Sequence, residues 1–288
     1  TGVAVALGFK AGLFNIGAEG QVQIGGIAAA WAGWTFSGLS PWVHVPLAFL
    51  VGAAVGGLWG LIPGWLKVKT GAHEVITTIM MNYVATLFMG FVYTSALREG
   101  SVPQTAPVPD ATQIARIFPS LRITWGIVIA ILVGIMSWYF LFKTSKGFQL
   151  RAVGFNPVAS QFNGFPVNRY RLMAFIVSGA IAGMGGACDI LGTQFRLING
   201  YGGSYGFDGV AIALIAQLDP IATMIVAYFF AVLRVGSLTM QVGSGVPTSV
   251  IDIIQALVIV FAVAGSAMMH LPEVKAFFGK LFRKKEAA

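Results

Sequence analysis

Charged residues are scarce in this sequence, and their scarcity excludes a soluble protein. Only 10% of the 288 residues are charged, whereas 57% are hydrophobic, and the mean hydropathy is +0.81. A soluble domain carries about 25% charged residues. Apolar runs long enough to cross a bilayer recur along the whole chain. We therefore predict an all-α fold: a polytopic transmembrane helical bundle, surrounded by the lipid bilayer, in a single domain that covers residues 1–288.

Cysteine and the common catalytic motifs are also lacking. The one cysteine, Cys188, excludes an intrachain disulfide, and three histidines are scattered at span edges. The sequence has no G-x-x-x-x-G-K-[ST] phosphate-binding loop, no H-E-x-x-H zinc motif and no G-x-S-x-G nucleophile motif. We therefore predict that the chain is not an enzyme and holds no metal or cofactor of its own.

The distribution of lysine and arginine predicts the orientation in the membrane. Thirteen of the 18 Lys and Arg residues fall at one end of the predicted spans, in short loops and in a basic tail at residues 271–288. Cations near span ends are retained in the cytoplasm, so we predict a cytoplasmic C-terminus, and the net charge of +8 does not indicate a nucleic-acid partner. This topology requires the apolar segment 207–218, which is too short to cross, to reach the inner side. Because the chain starts at Thr1 within apolar sequence, we expect one or more missing membrane helices before it.

The longest polar interruption lies at residues 144–168, between two long apolar runs. Four cations and no acid lie in it or at its edges, so we place it in the cytoplasm. Asn156-Pro157 is typical of a helix start, because Asn caps helices and Pro fits the first turn. A short amphipathic helix from Pro157, ended by Gly164 and Pro166, would dock a partner protein or lie on lipid headgroups.

Polar residues within the apolar spans are candidates for a polar path across the membrane. Five carboxylates lie in or beside spans: Glu19, Glu74, Asp189, Asp208 and Asp252. Charge in lipid is costly, so these side chains should face protein or water. Glu74, Thr78 and Asn82 follow one another at four-residue spacing, as do Asn15 and Glu19, and Asp208 opens the short apolar segment. Helix capping and interhelical hydrogen bonds are the structural alternatives.

Small residues recur at four-residue spacing in three spans. They form the series Gly52, Gly56, Gly60, Gly64; Gly25, Ala29, Gly33; and Ser178, Ala182, Gly186. Such faces let membrane helices approach closely, so we expect a compact bundle.

Four blocks in order along the chain resemble a known family. Residues 14–21 (FNIGAEGQ), 71–83 (GAHEVITTIMMNY), 151–157 (RAVGFNP) with Gly164, and 205–211 (YGFDGVA) are similar to the blocks of ABC importer permeases for branched-chain amino acids, simple sugars and nucleosides. The combination resembles most the guanosine-type nucleoside permeases. One departure is the turn Gln217-Leu218-Asp219-Pro220, where the family pattern has a more polar turn.

The resemblance implies a set of partners and roles. The chain would be a type II-like permease of a bacterial inner membrane, paired with a second permease subunit, a copy or a paralogue. A cytoplasmic ABC ATPase would hold the ATP and Mg²⁺, and an extracytoplasmic substrate-binding lipoprotein would deliver the substrate. The implied coupling residues are Arg151, Gly154, Asn156, Pro157, Ala159 and Gly164, and the candidate substrate-path residues are Asn15, Glu19, Glu74, Thr78, Asn82 and Asp208.

Alternatives to nucleoside import stay open from the sequence. A simple-sugar or branched-chain amino acid permease would share much of the pattern. An ion-coupled secondary transporter would use membrane carboxylates such as Glu19 or Glu74 as proton sites. A membrane-embedded enzyme is disfavoured because no paired catalytic set is present.

Overall fold

The computed structural model describes residues 1–36, 38–117, 123–245 and 247–268 of the chain, and within these ranges the regular elements are helical. The helices are α1 (Gly2–Lys10), α2 (Ala18–Thr35), α3 (Pro41–Thr70), α4 (Glu74–Phe91), α5 (Gly126–Lys143), α6 (Ser145–Phe155), α7 (Pro157–Phe162), α8 (Val167–Asp189), α9 (Tyr205–Ile215), α10 (Pro220–Ser244) and α11 (Thr248–Met268). Helices α4 and α8 continue into π-helical turns at Val92–Ala96 and Ile190–Gln194. The predicted all-α bundle is confirmed.

Helix α2 lies at the centre of the bundle. Fifteen of its 18 residues are buried, including Glu19, Gln21 and Gln23. A helix that is buried on all sides has no lipid-facing stripe, so its polar residues face protein or an internal cavity. This position explains how an apolar protein retains three polar side chains in one helix.

Glycines bring α2, α3 and α8 into backbone contact. A Cβ built on Gly25 of α2 would collide with the backbone of Gly183 in α8, whose carbonyl oxygen would be 2.7 Å away. Across the α3–α8 interface, a Cβ on Gly56 would lie 2.7 Å from the Gly179 carbonyl oxygen and from the Gly183 Cα. The small-residue faces predicted from the sequence are therefore packing surfaces, as in other closely packed membrane helices.

Within the described part of the chain, five helical segments are long and apolar enough to span a membrane: Pro41–Thr70, Glu74–Ala96, Gly126–Lys143, Val167–Gln194 and Pro220–Ser244. Helix α9 has only 11 residues, as expected for the short apolar segment. Asp219 caps α10, because its Oδ1 accepts from the amides of Ile221 and Ala222 at 2.9 Å. Helix α8 begins at Val167, after Pro166, so Asn168 lies in its first turn and does not cap it.

Extended chain before α5 packs against the segment that follows α8. The amides of Thr105 and Val108 donate to the carbonyls of Leu197 and Phe195 at 3.1 and 2.7 Å. Thr112 and Val108 are buried there. The Pro-rich loop at residues 98–117 is thus ordered by main-chain pairing, although it has no apolar periodicity.

The chain divides into two compact units, Thr1–Met224 and Ile225–Ala288. The first contains α1 to α9 and the start of α10, together with the polar clusters described below. The second contains the remainder of α10 and, among its described residues, α11. The predicted basic tail at residues 271–288 lies outside the described residues, and the prediction of a single domain stays a prediction.

Candidate functional site

The segment between α1 and α2 is held by a buried asparagine. Asn15 is fully buried; its Nδ2 donates to Ser178 Oγ at 2.9 Å and to Gln21 Oε1 at 3.2 Å. Its Oδ1 accepts from the Gly17 amide at 3.0 Å. Asn15 precedes α2, so it does not share a helical face with Glu19 as the four-residue spacing suggested. Its contacts fix the path of the chain as it enters α2.

Asn82 of α4 completes the start of α2. The N-cap of α2 is Gly17, which has no side chain to accept from the first-turn amides. Asn82 Oδ1 accepts from the Gly20 amide at 2.9 Å, and Asn82 Nδ2 donates to the Ile16 carbonyl at 3.0 Å. A side chain from another helix therefore supplies the cap that the sequence before α2 lacks.

Glu19 links α2 to the start of the short helix α9. Its Oε2 accepts from the Gly206 amide at 2.6 Å, and its Oε1 accepts from Gln23 Nε2 at 3.3 Å. Gln23 Oε1 in turn accepts from Thr86 Oγ1 of α4 at 3.1 Å. The Gly206 amide is in the first turn of α9, where a carboxylate is stabilised by the helix dipole. Glu19 thus joins α2 directly to α9 and, through Gln23, to α4.

These elements surround a cavity of about 270 Å³. Its lining combines amide, carboxylate and hydroxyl groups with aromatic rings: Glu19, Gln23, Asn82, Thr86, Asn199, Tyr83, Tyr93, Tyr201 and Phe207. The remaining described lining residues are Ile79, Met89, Gly200 and Gly203, so the lining holds no Lys, Arg or His among the residues that the structure describes. Concave sites with convergent polar groups and aromatic walls are typical of small-molecule binding. We take this cavity as the candidate substrate site.

The other predicted path residues lie away from the lining that the structure describes. Glu74 pairs with Lys67 at 2.6 Å across the α3–α4 turn, and Thr78 Oγ1 donates to the Glu74 carbonyl at 2.7 Å. Thr78 packs against Gly17, since a Cβ added to Gly17 would lie 3.0 Å from the Thr78 Cβ. Asp208, in the first turn of α9, accepts from Ser204 Oγ at 3.2 Å. The structure therefore brings Asn15, Thr78 and Asn82 together at the start of α2, and only Glu19 and Asn82 of the six candidates line the cavity.

Several cavity residues were missed, and a simple signal could have found two of them. Gln23 follows Glu19 by four residues, and Thr86 follows Asn82 by four, so each polar series continues for one more turn. Tyr93 Oη donates to Asn199 Oδ1 at 3.0 Å and connects the end of α4 to the segment before α9. That contact joins residues 106 positions apart, and no local pattern indicates it.

The polar segment at residues 144–168 contains two helices. Thr144 caps α6, accepting from the Gly147 amide at 3.1 Å, and Asn156 caps α7, accepting from the Ala159 amide at 3.0 Å. Pro157 is the first residue of α7, and Gly164 after it has a φ of +78°, which glycine adopts without strain. The sequence predicts the helix that begins at Pro157, but it does not predict α6.

Some of the implied coupling residues face the protein, whereas Ala159 faces outward. Arg151 and Gly154 face the protein: Arg151 Nε donates to the Leu141 carbonyl at 2.9 Å, and Gly154 lies against the backbone of residues 10–12. Ala159 in α7 is exposed.

The outward surface of α6 and α7 is apolar and basic. Phe155 and Phe162 are 96% and 89% exposed, and Val158 is 63% exposed. Beside them is a cleft of about 540 Å³ whose lining includes Gln161, Arg169 and Arg171. Exposed aromatic side chains with arginines nearby are typical of protein interfaces.

A protein-family comparison assigns the chain. The family described as branched-chain amino acid transport system / permease component matches residues 1–263. The chain belongs to this permease family.

Individual relatives of this permease are ABC transporter permeases. This permease is 39% identical over 290 residues to the guanosine ABC transporter permease protein NupP of Bacillus subtilis (strain 168). The match covers 99% of this chain and 81% of the relative. The permease is 34% identical to the glucose ABC transporter permease protein TsgB13 of Haloferax volcanii, over 91% of this chain and 72% of the relative. It is 31% identical to the nucleoside ABC transporter permease protein NupB of Lactococcus lactis subsp. cremoris, over 99% and 82%. No solved structure matches the permease.

The family assignment agrees with the described fold. The permease is a multi-pass membrane protein with five helical segments of spanning length and composition among its described residues. The relatives are permease subunits of ABC transporters, which are not themselves enzymes.

Proposed function

We propose that this permease imports nucleosides through the cavity between α2, α4 and the segment before α9. The observation that carries the proposal is the chemistry of the lining. Amide and hydroxyl groups of Gln23, Asn82 and Thr86 can bond the edges of a base or the hydroxyls of ribose. Aromatic rings at Tyr83, Tyr93 and Phe207 offer flat apolar faces, and a base stacked on such a ring gains about 1–3 kcal/mol.

The charge of the lining disfavours anionic substrates. Among the thirteen lining residues that the structure describes, Glu19 is the one charged side chain and none is a cation. The carboxylate of an amino acid or the phosphate of a nucleotide would therefore meet a like charge without a partner, which is costly in a partly buried site. Neutral nucleosides and neutral sugars avoid this cost.

Size is compatible with a small neutral substrate. The cavity volume of about 270 Å³ is near the lower limit of about 300 Å³ for small-molecule pockets. Two relatives are named as guanosine and nucleoside permeases, and another as a glucose permease. Sugar import is the second candidate, and the aromatic lining favours nucleosides over it.

Membership of the permease family also suggests the partner proteins of this chain. We propose that a cytoplasmic ATPase binds and hydrolyses ATP with Mg²⁺, and that a second permease subunit and an extracytoplasmic lipoprotein complete the importer in the bacterial inner membrane. In this arrangement the C-terminus and residues 144–168 are cytoplasmic. The exposed Phe155, Val158 and Phe162 support this proposal, because they form an apolar surface suited to docking on the ATPase.

Substrate competition tests the proposed function. The complete importer is reconstituted in proteoliposomes, and ATP-driven uptake of radiolabelled guanosine is measured with excess unlabelled nucleosides, glucose or leucine. We expect other nucleosides to compete and leucine to have no effect. Equal competition by glucose would instead assign the cavity to sugars.

A matched pair of variants connects the uptake to the cavity. Thr86→Val removes the hydroxyl that donates to Gln23 while conserving side-chain volume, and Thr77→Val makes the same change on α4 outside the lining. We expect the KM for guanosine to rise in Thr86→Val and not in Thr77→Val. An unchanged KM in Thr86→Val would place the substrate elsewhere.

A further inference from the structure

Helix α6 contacts the segment between α1 and α2 through backbone, without an intervening side chain, at Gly154. A Cβ built on Gly154 would collide with the Lys10 carbonyl oxygen and lie 2.7 Å from Ala11 C and Gly12 N. From the other side, a Cβ on Gly12 would lie 2.7 Å from the Gly154 carbonyl oxygen. Close-packed backbone cannot yield as a flexible side chain can, so displacement of α6 at Gly154 must displace residues 10–12.

Buried side chains of α6 and of the same segment also belong to one hydrophobic cluster. Leu150 of α6 and Leu13 after Gly12 are both buried, in one cluster with Leu141 and Phe175. Gly12 has a φ of +72°, so the chain turns sharply there between α1 and α2. The segment 10–17 is thus joined to α6 by a backbone contact at Gly154 and by a shared cluster of buried side chains.

The other end of the same segment is hydrogen-bonded to a residue that lines the cavity. Asn15 is fixed to Ser178 of α8 at 2.9 Å, and the carbonyl of the next residue, Ile16, accepts from Asn82 Nδ2 at 3.0 Å. Asn82 lines the cavity and also accepts from the Gly20 amide at 2.9 Å, within the first turn of α2. Three residues of chain therefore separate the α6 contact at Gly12 from the hydrogen bonds that position Asn82.

We propose that residues 10–17 form a mechanical link from α6 to the cavity, with Gly12, Gly154 and Asn15 as positioning residues in the transport cycle. This inference rests on the proposed function only in taking residues 144–168 as the part on which the ATPase acts. The link acts through its contacts with α2 and Asn82. It adds to the covalent connections of α6 with α5 and of α7 with α8. Both ends and the cavity lie within the unit Thr1–Met224.

A reporter in the cavity tests the link in the complete importer. Cys188→Ala removes the one native thiol, and Tyr83→Cys places a thiol in the lining at a position that is 64% exposed. The rate of labelling by a small thiol reagent is measured with and without a non-hydrolysable ATP analogue. We expect the analogue to change the rate in this background and Gly154→Ala to abolish the change in assembled complexes. Gly236→Ala, where a Cβ meets nothing within 4 Å, is the matched control and should keep the change.

Each possible result of this labelling experiment either supports or overturns the link. An analogue response that persists in assembled Gly154→Ala complexes, or a reporter that never responds to the analogue, would overturn the link. If Gly154→Ala prevents assembly, Ser178→Ala decides, because it removes one hydrogen-bond partner of Asn15 with little change in volume. A weakened response in Ser178→Ala supports the link, and an unchanged response overturns it. The readout needs no nucleoside, so failure of the nucleoside assignment would be seen separately in the uptake assay.

Discussion

Replacing Asn82 with alanine removes the cap that α4 supplies to α2. Two hydrogen bonds are lost, to the Ile16 carbonyl at 3.0 Å and from the Gly20 amide at 2.9 Å. Asn82 is 6% exposed, so both backbone groups are left in the protein interior at the edge of the cavity. The local sequence offers no replacement, because the N-cap position is Gly17.

The expected loss of stability follows from these two bonds. Orphaning a buried backbone group costs about 1–3 kcal/mol, whereas single interhelical side-chain bonds in membrane proteins average about 0.6 kcal/mol. Water that enters the cavity can recover part of the cost. We therefore expect Asn82→Ala to lower the free energy of unfolding by about 2 kcal/mol. Asn82→Asp keeps the acceptor for the Gly20 amide, but it sets a charged oxygen against the Ile16 carbonyl, so we expect a loss of similar size.

Equilibrium unfolding in mixed detergent micelles measures this difference. Thr77→Ala is the control on the same helix, because the Thr77 hydroxyl donates locally, to the carbonyl of Glu74 at 3.1 Å and to that of the N-cap residue His73 at 3.4 Å. Its loss should change the unfolding free energy by less than about 0.5 kcal/mol. If Asn82→Ala were as stable as Thr77→Ala, the assignment of Asn82 as the cap of α2 would be refuted.

Three further predictions address packing, docking and the cavity. Gly25→Leu should abolish folded protein, because the Gly183 backbone occupies the space for a side chain, whereas Gly236→Leu in open space should be recovered at parental yield; normal yield of Gly25→Leu would contradict the packing. Phe162→Ala, at an 89% exposed residue, should weaken ATPase binding in a titration by about tenfold, and unchanged affinity would remove α7 from the interface. Tyr93→Phe loses the 3.0 Å bond to Asn199 and should raise the KM for uptake by about fivefold, so an unaltered KM would show that this contact does not shape the site.

The fold could be predicted from the sequence because its signals are local. Composition and apolar runs predict the bundle, and caps such as Asn156 and Asp219 mark helix starts within the segments that they begin. Helix α6 has the same kind of signal, since Thr144 caps it, but its charges and Gly147 suggest a loop. The small-residue series in α2, α3 and α8 predicted close packing, although not which helices meet.

The candidate site was predicted only in part because its contacts are long-range. Asn82 and Glu19 were singled out as membrane polar residues, yet their roles depend on partners 62 and 187 positions away. Glu74 belongs to the same periodic series but pairs with Lys67 at the α3–α4 turn. Periodicity places residues on one face of a helix, whereas the depth of each residue and its partner depend on how the helices pack.

The central claim is that a separate ATPase drives nucleoside import through this permease. Its most direct test measures radiolabelled guanosine in proteoliposomes that contain the complete importer, with ATP or a non-hydrolysable analogue on the ATPase side. The account predicts accumulation above the external concentration with ATP and none with the analogue. Accumulation driven by an imposed proton gradient in the absence of ATP would contradict it and would identify a secondary transporter.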